Sequence, residues 1–418
     1  MRYVIIGHGA AGNAAARAIR ARDPASQVLI LSDEPHPGYY RPLIPALIED
    51  GVGKDSVFRD EVTTPEGVEV RLKARVVAID RQGQKLSLDN GESFPYDRLL
   101  IATGSSAIRP PITGLDGLSV HVLRTIDDAK AIKIASDGAK RAMVIGGGRV
   151  GMKASFALRR RGLQVDVVEK LTRVVPVQFD EVASQILSRA IESQGIRLIL
   201  GQTVREVERY KGRLKGVVLD DGRLVEADLI VVAVGVQAKV ELARAAGLTV
   251  NRGVFVDKHL RTSDPYIYAA GDVVETVDIV TGESIVSGIW TNAVDMGRVA
   301  GENMAGGDVE FPGAFGVLNS MDLADIPTVS VGLIESPSGD GYRVYIARRG
   351  DVYRKLVVKD GRLVGVLLIG DIEGAGVYTG LIKRQANVES CIEMLMVRRP
   401  SYAPLLRQEV PELNVSRT

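Results

Sequence analysis

Thiols are almost missing from this chain: its 418 residues include a single cysteine, Cys391. One thiol cannot build a disulfide framework, an iron–sulfur cluster or a cysteine zinc site. Histidine is nearly as sparse. His8, His36, His121 and His259 are scattered without ligand spacing, and no metal is expected. An excess of either charge is also missing, since 53 lysines and arginines face 52 acids for a net of +1. A dedicated nucleic-acid binder would carry a basic footprint, so no nucleic-acid partner is expected. Long apolar runs are absent too. Only Val4-Ile5-Ile6 precedes the first glycine, whereas a signal peptide needs roughly 7–15 apolar residues and a membrane span about 18 or more. The expectation is a cytoplasmic protein with no membrane segment. At 45% hydrophobic and 25% charged the composition is that of a folded chain, long enough for about two to four domains.

Glycine is present in excess, 45 residues in all, and its clusters repeat. Gly7, Gly9 and Gly12 recur as Gly146, Gly148 and Gly151, 139 positions on. Each trio follows an aliphatic strand, Val4-Ile5-Ile6 or Met143-Val144-Ile145, and precedes a helix-like segment, Asn13 to Arg22 or Met152 to Arg161. A second apolar strand follows, Val28 to Leu31 or Val165 to Val168. Another pair of segments matches at a displacement of 131. Leu88-Asp89-Asn90-Gly91 leads to Ile101-Ala102-Thr103-Gly104, and Leu219-Asp220-Asp221-Gly222 leads to Val232-Ala233-Val234-Gly235. Asn-Gly and Asp-Gly predict hairpin turns, each feeding a buried strand that ends in glycine. The chain thus reads as two copies of one dinucleotide-binding unit.

The chemistry explains the spacing. The first glycine allows a tight turn, the second lets a pyrophosphate approach the backbone, and the third lets helix and strand pack closely. Unpaired N–H groups and the dipole at the helix start favour the phosphates. At the end of the second strand a carboxylate accepts from the adenosine ribose. Asp33 and Glu34 are the candidates in the first unit and Glu169 in the second. Glu169 would repel a 2′-phosphate, which favours NADH over NADPH; Lys170 and Arg173 either soften that preference or lie in a solvated loop.

Further motifs are Tyr39-Tyr40-Arg41-Pro42, Leu123-Arg124-Thr125, Tyr268-Ala269-Ala270-Gly271-Asp272-Val273 and Trp290-Thr291-Asn292-Ala293. In this order and spacing the motifs resemble the FAD-dependent pyridine nucleotide–disulfide reductase superfamily. Within it they look like the branch without a redox disulfide: NADH:rubredoxin and ferredoxin reductases, NADH oxidases and the flavin module of nitrite reductases. The resemblance implies an α/β fold of two Rossmann-like, glutathione reductase-like domains plus a C-terminal α/β domain. FAD would occupy residues 1–112 and 251–310, NAD(P)H residues 113–250, and an interface domain residues 311–418. Gly7, Gly9, Ala11, Gly12, Asp33, Glu34, Arg41, Pro42, Val76, Ala102, Thr103, Gly104, Arg124, Gly271, Asp272, Trp290, Asn292 and Ala293 would contact FAD. Of these, Arg41 would lie by the pyrophosphate, Asp272 on a ribityl hydroxyl, Val76 at the adenine, and the helix starting near Asn292 at the flavin's pyrimidine edge. Gly146, Gly148, Arg149, Val150, Gly151, Glu169 and Gly235 would contact NAD(H).

The sequence departs from its relatives in two places. The segment Pro37 to Pro45, where disulfide reductases carry cysteine, has none, and Cys391 reads as a buried small hydrophobe. Relatives often carry glutamate at the position of Lys153, paired with a lysine where Ala46 stands here. Lys153 either places a cation near the flavin–nicotinamide contact or points into solvent. In the C-terminal segment, Tyr353 to Val358 and Leu363 to Ile369 predict a hairpin, and Leu381 to Val397 a mainly helical stretch. Tyr378 and Lys383 are further candidates to reach the flavin. Residues 343–362 hold seven basic and two acidic residues, either a docking patch or a solvated face. The expected function is hydride transfer between NADH and FAD, with electrons exchanged with a small iron–sulfur or rubredoxin-like carrier by a homodimer. A peroxide-forming NADH oxidase and a non-catalytic NADH-sensing flavoprotein are the alternatives.

Overall fold

The computed structural model describes residues 1–116, 119–337 and 341–397, the side chain of Glu61 apart. By its contacts the chain divides into two compact units, one of Met1–Thr172 with Gly195–Gly316, the other of Arg173–Gln194 with Val317–Thr418.

Two parallel five-stranded sheets organise the first unit. In the first, the strands run in the order Ile267–Ala269, Arg98–Ile101, Arg2–Ile6, Gln27–Leu31, Val68–Arg71. In the second the order is Ile196–Leu200, Gln164–Glu169, Arg141–Ile145, Leu229–Val232, Val120–Val122. The glycine strand is central in both, with the strand after its helix on one side and the strand after the hairpin on the other. That reversal of direction opens a crevice at the carboxyl ends of the strands, where such sheets bind ligands. Ile5, Ile30, Leu99 and Leu100 in one sheet and Met143, Val144, Val167 and Val231 in the other are fully buried, as parallel strands covered on both faces require. The repeated hairpins form matching three-stranded antiparallel sheets, Val76–Asp80 with Lys85–Leu88 and Ser93–Pro95, and Val204–Tyr210 with Arg213–Leu219 and Leu224–Glu226.

The helix Ala10–Arg22 is crossed at very short range by the helix Trp290–Met304. A Cβ on Gly297 would stand 2.2 Å from the Ala11 carbonyl oxygen, and one on Gly301 2.5 Å from that of Ala15. Ala11 is therefore buried in a helix–helix contact that only glycine admits.

The second unit is an antiparallel sheet ordered Leu318–Leu323, Ile326–Gly332, Arg362–Ile369, Val352–Lys359, Tyr342–Arg349, with the helix Ala375–Lys383 packed on it. The expected hairpin is present. The stretch Leu381–Val397, expected to be mainly helical, is helical in separate pieces: the end of the helix Ala375–Lys383, a 3-10 turn at Glu389–Cys391 and a short helix at Ile392–Leu395. The helix Glu181–Ser193 belongs to this unit. Its N-cap, Asp180, accepts from Ala183 N–H through Oδ1 (3.0 Å), and through Oδ2 from the Tyr353 hydroxyl (2.7 Å) and Lys355 Nζ (2.9 Å). Arg354 and Lys355 are buried, at 6% and 7% exposure. The basic count over 343–362 therefore overstates the surface charge, because Val352–Lys359 is an interior strand. Tyr378 is also buried, its hydroxyl donating to the Leu395 carbonyl. Burial pushes the Cys391 thiol up, and Sγ faces the Val388 carbonyl at 3.5 Å. Among the described residues no helix is long and apolar enough to cross a membrane.

Candidate active site

Both glycine loops are built alike. Gly7 and Gly146 lie in the left-handed half of backbone space, at φ +114° and +108°. A Cβ on Gly12 would stand 2.0 Å from the Gly7 carbonyl oxygen, and one on Gly151 1.9 Å from that of Gly146. The middle glycines are the opposite case, for a Cβ on Gly9 or Gly148 would meet nothing within 4 Å. The third glycine closes the fold, whereas the second leaves open ground before a helix start. Neither Ala10–Arg22 nor Arg149–Arg160 has a side-chain cap or an acid in its first turn, so the first-turn N–H groups are left for an anion. A dinucleotide's pyrophosphate fits both cradles.

The acids differ in how they are held. Glu169 closes the end of its strand onto the second loop, Oε2 accepting from Gly147 N–H (2.7 Å) and Oε1 from Leu171 N–H (2.9 Å). In the first unit the two candidate acids stand in different surroundings. Asp33 is exposed, with Lys239 at 3.6 Å. Glu34 forms a tight ion pair with Arg41, and the Tyr39 hydroxyl donates to its Oε2 (2.5 Å). Arg41 also donates to the Tyr39 oxygen (2.9 Å) and the Arg124 carbonyl (3.1 Å). Its guanidinium thus organises the acid. Pro42 stands at the start of the 3-10 segment Arg41–Ile48 that carries it.

At the crevice Asp272 Oδ2 accepts from Arg124 Nη2 (2.8 Å) and the Ser105 hydroxyl (2.9 Å). Gly104 (φ +69°) and Gly271 (φ +82°) flank this cluster, and a Cβ on Gly271 would be 3.0 Å from that of Ala11 and 3.5 Å from that of Ala293. The crossing helix begins at Trp290, two residues before the expected start. The Asn292 side chain is consumed internally, donating to the Ser287 oxygen (2.7 Å) and the Phe315 carbonyl (2.8 Å), so only its backbone can serve a ligand. Trp290 packs on Tyr40 with ring centroids 4.6 Å apart. Thr103 donates to the Lys239 carbonyl (3.0 Å), while the Ala102 carbonyl backs Gly7. Val76 lies in the hairpin sheet beside Leu88.

In the second cradle Val150 is exposed and Gly235 has φ +121°. Arg149 and Lys153, one turn apart on one helix face, are half-buried. Burial lowers both, and Arg149 lowers Lys153 further. Lys153 forms no ion pair among the described residues, so it is neither a solvated surface lysine nor a neutralised one. Tyr39, Ser105, Gly297 and Gly301 were missed as site-forming residues. Tyr39 stands inside the Tyr39-Tyr40-Arg41-Pro42 motif, Ser105 directly follows the strand end Ile101-Ala102-Thr103-Gly104, and the i, i+4 glycine pair is a readable sign of close helix packing. Among the described residues no group of three or more His, Cys, Asp and Glu is placed to hold a metal.

The family model described as pyridine nucleotide-disulphide oxidoreductase matches residues 1–297. The chain belongs to this family. A second model, the rubredoxin NAD+ reductase C-terminal domain, matches residues 318–386. As a member, the chain is an FAD- and NAD(H)-dependent oxidoreductase. It is 32% identical to an NADH oxidase of Methanocaldococcus jannaschii, with 88% of each chain covered. It is 30% identical to the epsilon subunit of an NADH-dependent phenylglyoxylate dehydrogenase of Aromatoleum evansii, over 93% of this chain and 92% of that one. A solved ferredoxin reductase from Rhodopseudomonas palustris superposes with TM-score 0.82 at 28% identity, over 95% of this chain and all of the other.

Proposed function

We propose that this oxidoreductase takes hydride from NADH onto FAD and passes the electrons singly to a small iron–sulfur or rubredoxin-like protein. The observation that carries it is the pairing of two pyrophosphate cradles with a lack of usable thiol: the chain's one cysteine is buried in the other unit. Bound FAD supplies two-electron acceptance and one-electron release. The first cradle, Gly7 to Gly12, holds its pyrophosphate on the helix start, and Glu34, fixed by Arg41 and Tyr39, takes the adenosine ribose. Asp272, held by Arg124 and Ser105, takes a ribityl hydroxyl. The backbone N–H groups at Trp290–Ala293 face the flavin with the positive end of a helix dipole. Gly148 and Arg149 hold the nicotinamide dinucleotide, and Glu169 excludes a 2′-phosphate. Glu169→Gln is expected to narrow the NADH-over-NADPH ratio of kcat/KM about tenfold, the worth of about 1.4 kcal/mol. Lys153 lends positive charge to the reacting pair.

Cytoplasmic NADH as donor and a homodimer complete the reading. The experiment is anaerobic stopped-flow reduction by NADH, followed by mixing with a rubredoxin or a plant-type ferredoxin. Rapid bleaching of the flavin and its reoxidation by a carrier support the proposal. Fast turnover with oxygen alone and indifference to every carrier would assign the chain to the oxidases instead, the activity for which the Methanocaldococcus relative is named.

A further inference from the structure

Tyr342–Arg349 is the outermost strand of the second unit's sheet. Its inner edge pairs in unbroken register with Val352–Lys359, from Tyr342 opposite Lys359 to Arg349 opposite Val352. No strand lies along its outer edge among the described residues. Such an edge presents a row of unpaired N–H and C=O groups to any chain that can match them. Proteins ordinarily blunt it with proline, a bulge, short length or charged side chains, which repel a like-charged strand but not an oppositely charged one. This strand is eight residues long, with no proline and no register shift against its neighbour.

The side chains alternate between two faces. Val344, Ile346 and Arg348 share one, and Arg343, Tyr345, Ala347 and Arg349 the other. Val344 is 39% exposed and Ile346 57%, and β-branched residues of this kind gain by packing against a neighbouring strand. Arginines stand toward both ends. Arg343 makes an exposed pair with Glu389 (2.9 Å), a contact of the kind that exchanges at little cost. Arg348 donates only to the Gly350 carbonyl (3.2 Å), and neither it nor Arg349 pairs with a described carboxylate.

We propose that this edge takes up an extended acidic segment of a partner protein as an added strand. The incoming backbone completes the ladder, its apolar side chains cover Val344 and Ile346, and its carboxylates meet the three arginines. A second copy of this chain fits less well. Directly opposed residues of an antiparallel pair share a face, so two such strands centred on Ile346 set Arg343 of one opposite Arg349 of the other, and like charges directly opposed are destabilising. The inference does not rest on the hydride-transfer reading, since the edge lies in the other unit.

The test uses the full-length flavin-loaded protein and a fluorescein-labelled octapeptide of alternating glutamate and valine, followed by anisotropy at low salt. Saturable binding is expected, weakened about tenfold or more by combined Arg348→Glu and Arg349→Glu, by Ile346→Lys, and by added salt. All three positions are exposed, so an unchanged melting temperature and unchanged flavin reduction by NADH verify that the variants are intact. Methylating alternate backbone nitrogens of the peptide keeps its charge and side chains but removes the ladder donors, and should abolish binding. Equal binding of methylated and parent peptides would overturn strand addition, as would no binding of the parent. A dimer in sedimentation that Ile346→Lys dissolves would give the edge to a second copy and overturn it as well.

Discussion

Glu34 shows how a single side chain is set by its surroundings. Burial alone would raise its carboxyl, but the charge of Arg41 and the Tyr39 hydroxyl outweigh it and hold the group below the ordinary 4.5. A carboxylate depressed in the folded state contributes stability that is complete above its unfolded value and is lost as pH falls through the folded one. Wild-type stability should therefore fall below pH 4.5 more steeply than that of Glu34→Gln, which has nothing to titrate there. At neutral pH the variant leaves Arg41 unmatched and should cost about 1–3 kcal/mol in urea unfolding. Parallel pH profiles for the two proteins would remove Glu34 from this role. Lys153 is the converse case, a half-buried cation with a like-charged neighbour and no described counter-ion. If its charge serves the reduced flavin, Lys153→Gln should lower the two-electron midpoint potential by about 30 mV, the equivalent of about 1.4 kcal/mol. Dye-equilibrated reductive titration reads this directly, and an unmoved potential would place the lysine away from the flavin.

At the scale of elements, glycines of the same appearance do different work. Gly9 has open space where a side chain would go, but Gly297 has the Ala11 backbone. Gly9→Ala should leave the apoprotein as stable as wild type, within about 0.5 kcal/mol, while weakening retention of FAD on gel filtration. Gly297→Ala should instead drive two helices apart and cost about 1–3 kcal/mol of unfolding free energy. If both variants lost stability alike, the first cradle would be part of the packed core and no ligand site. The glycine spacing was readable because strand, turn and helix start are short-range geometry. The helix crossing that makes Gly297 critical joins segments more than two hundred and fifty positions apart, and its only sequence mark was the recurrence of glycine at Gly301.

For the whole molecule, the nucleotide cradles and the one thiol belong to different units. Cys391→Ser should leave anaerobic flavin reduction by NADH within about twofold of wild type and cost about 1 kcal/mol of stability through the buried hydroxyl. Loss of hydride transfer with FAD still bound would reinstate thiol chemistry. The sequence by itself determined the repeated nucleotide-binding units, the positions of their glycines and acids, and the lack of a redox cysteine pair. Each depends on residue type at close spacing, which backbone sterics and hydrogen bonding translate directly into local shape. Only the tertiary structure decided which charges are free. Arg41 is bound by Glu34, the Asn292 side chain by Ser287 and Phe315, and Lys355 by Asp180, so a count of basic residues along 343–362 could not measure a surface. It also decided that the helix Glu181–Ser193 belongs with the C-terminal sheet. Partners in an ion pair, and the faces a strand shows to solvent, are chosen by chain segments that meet only after folding.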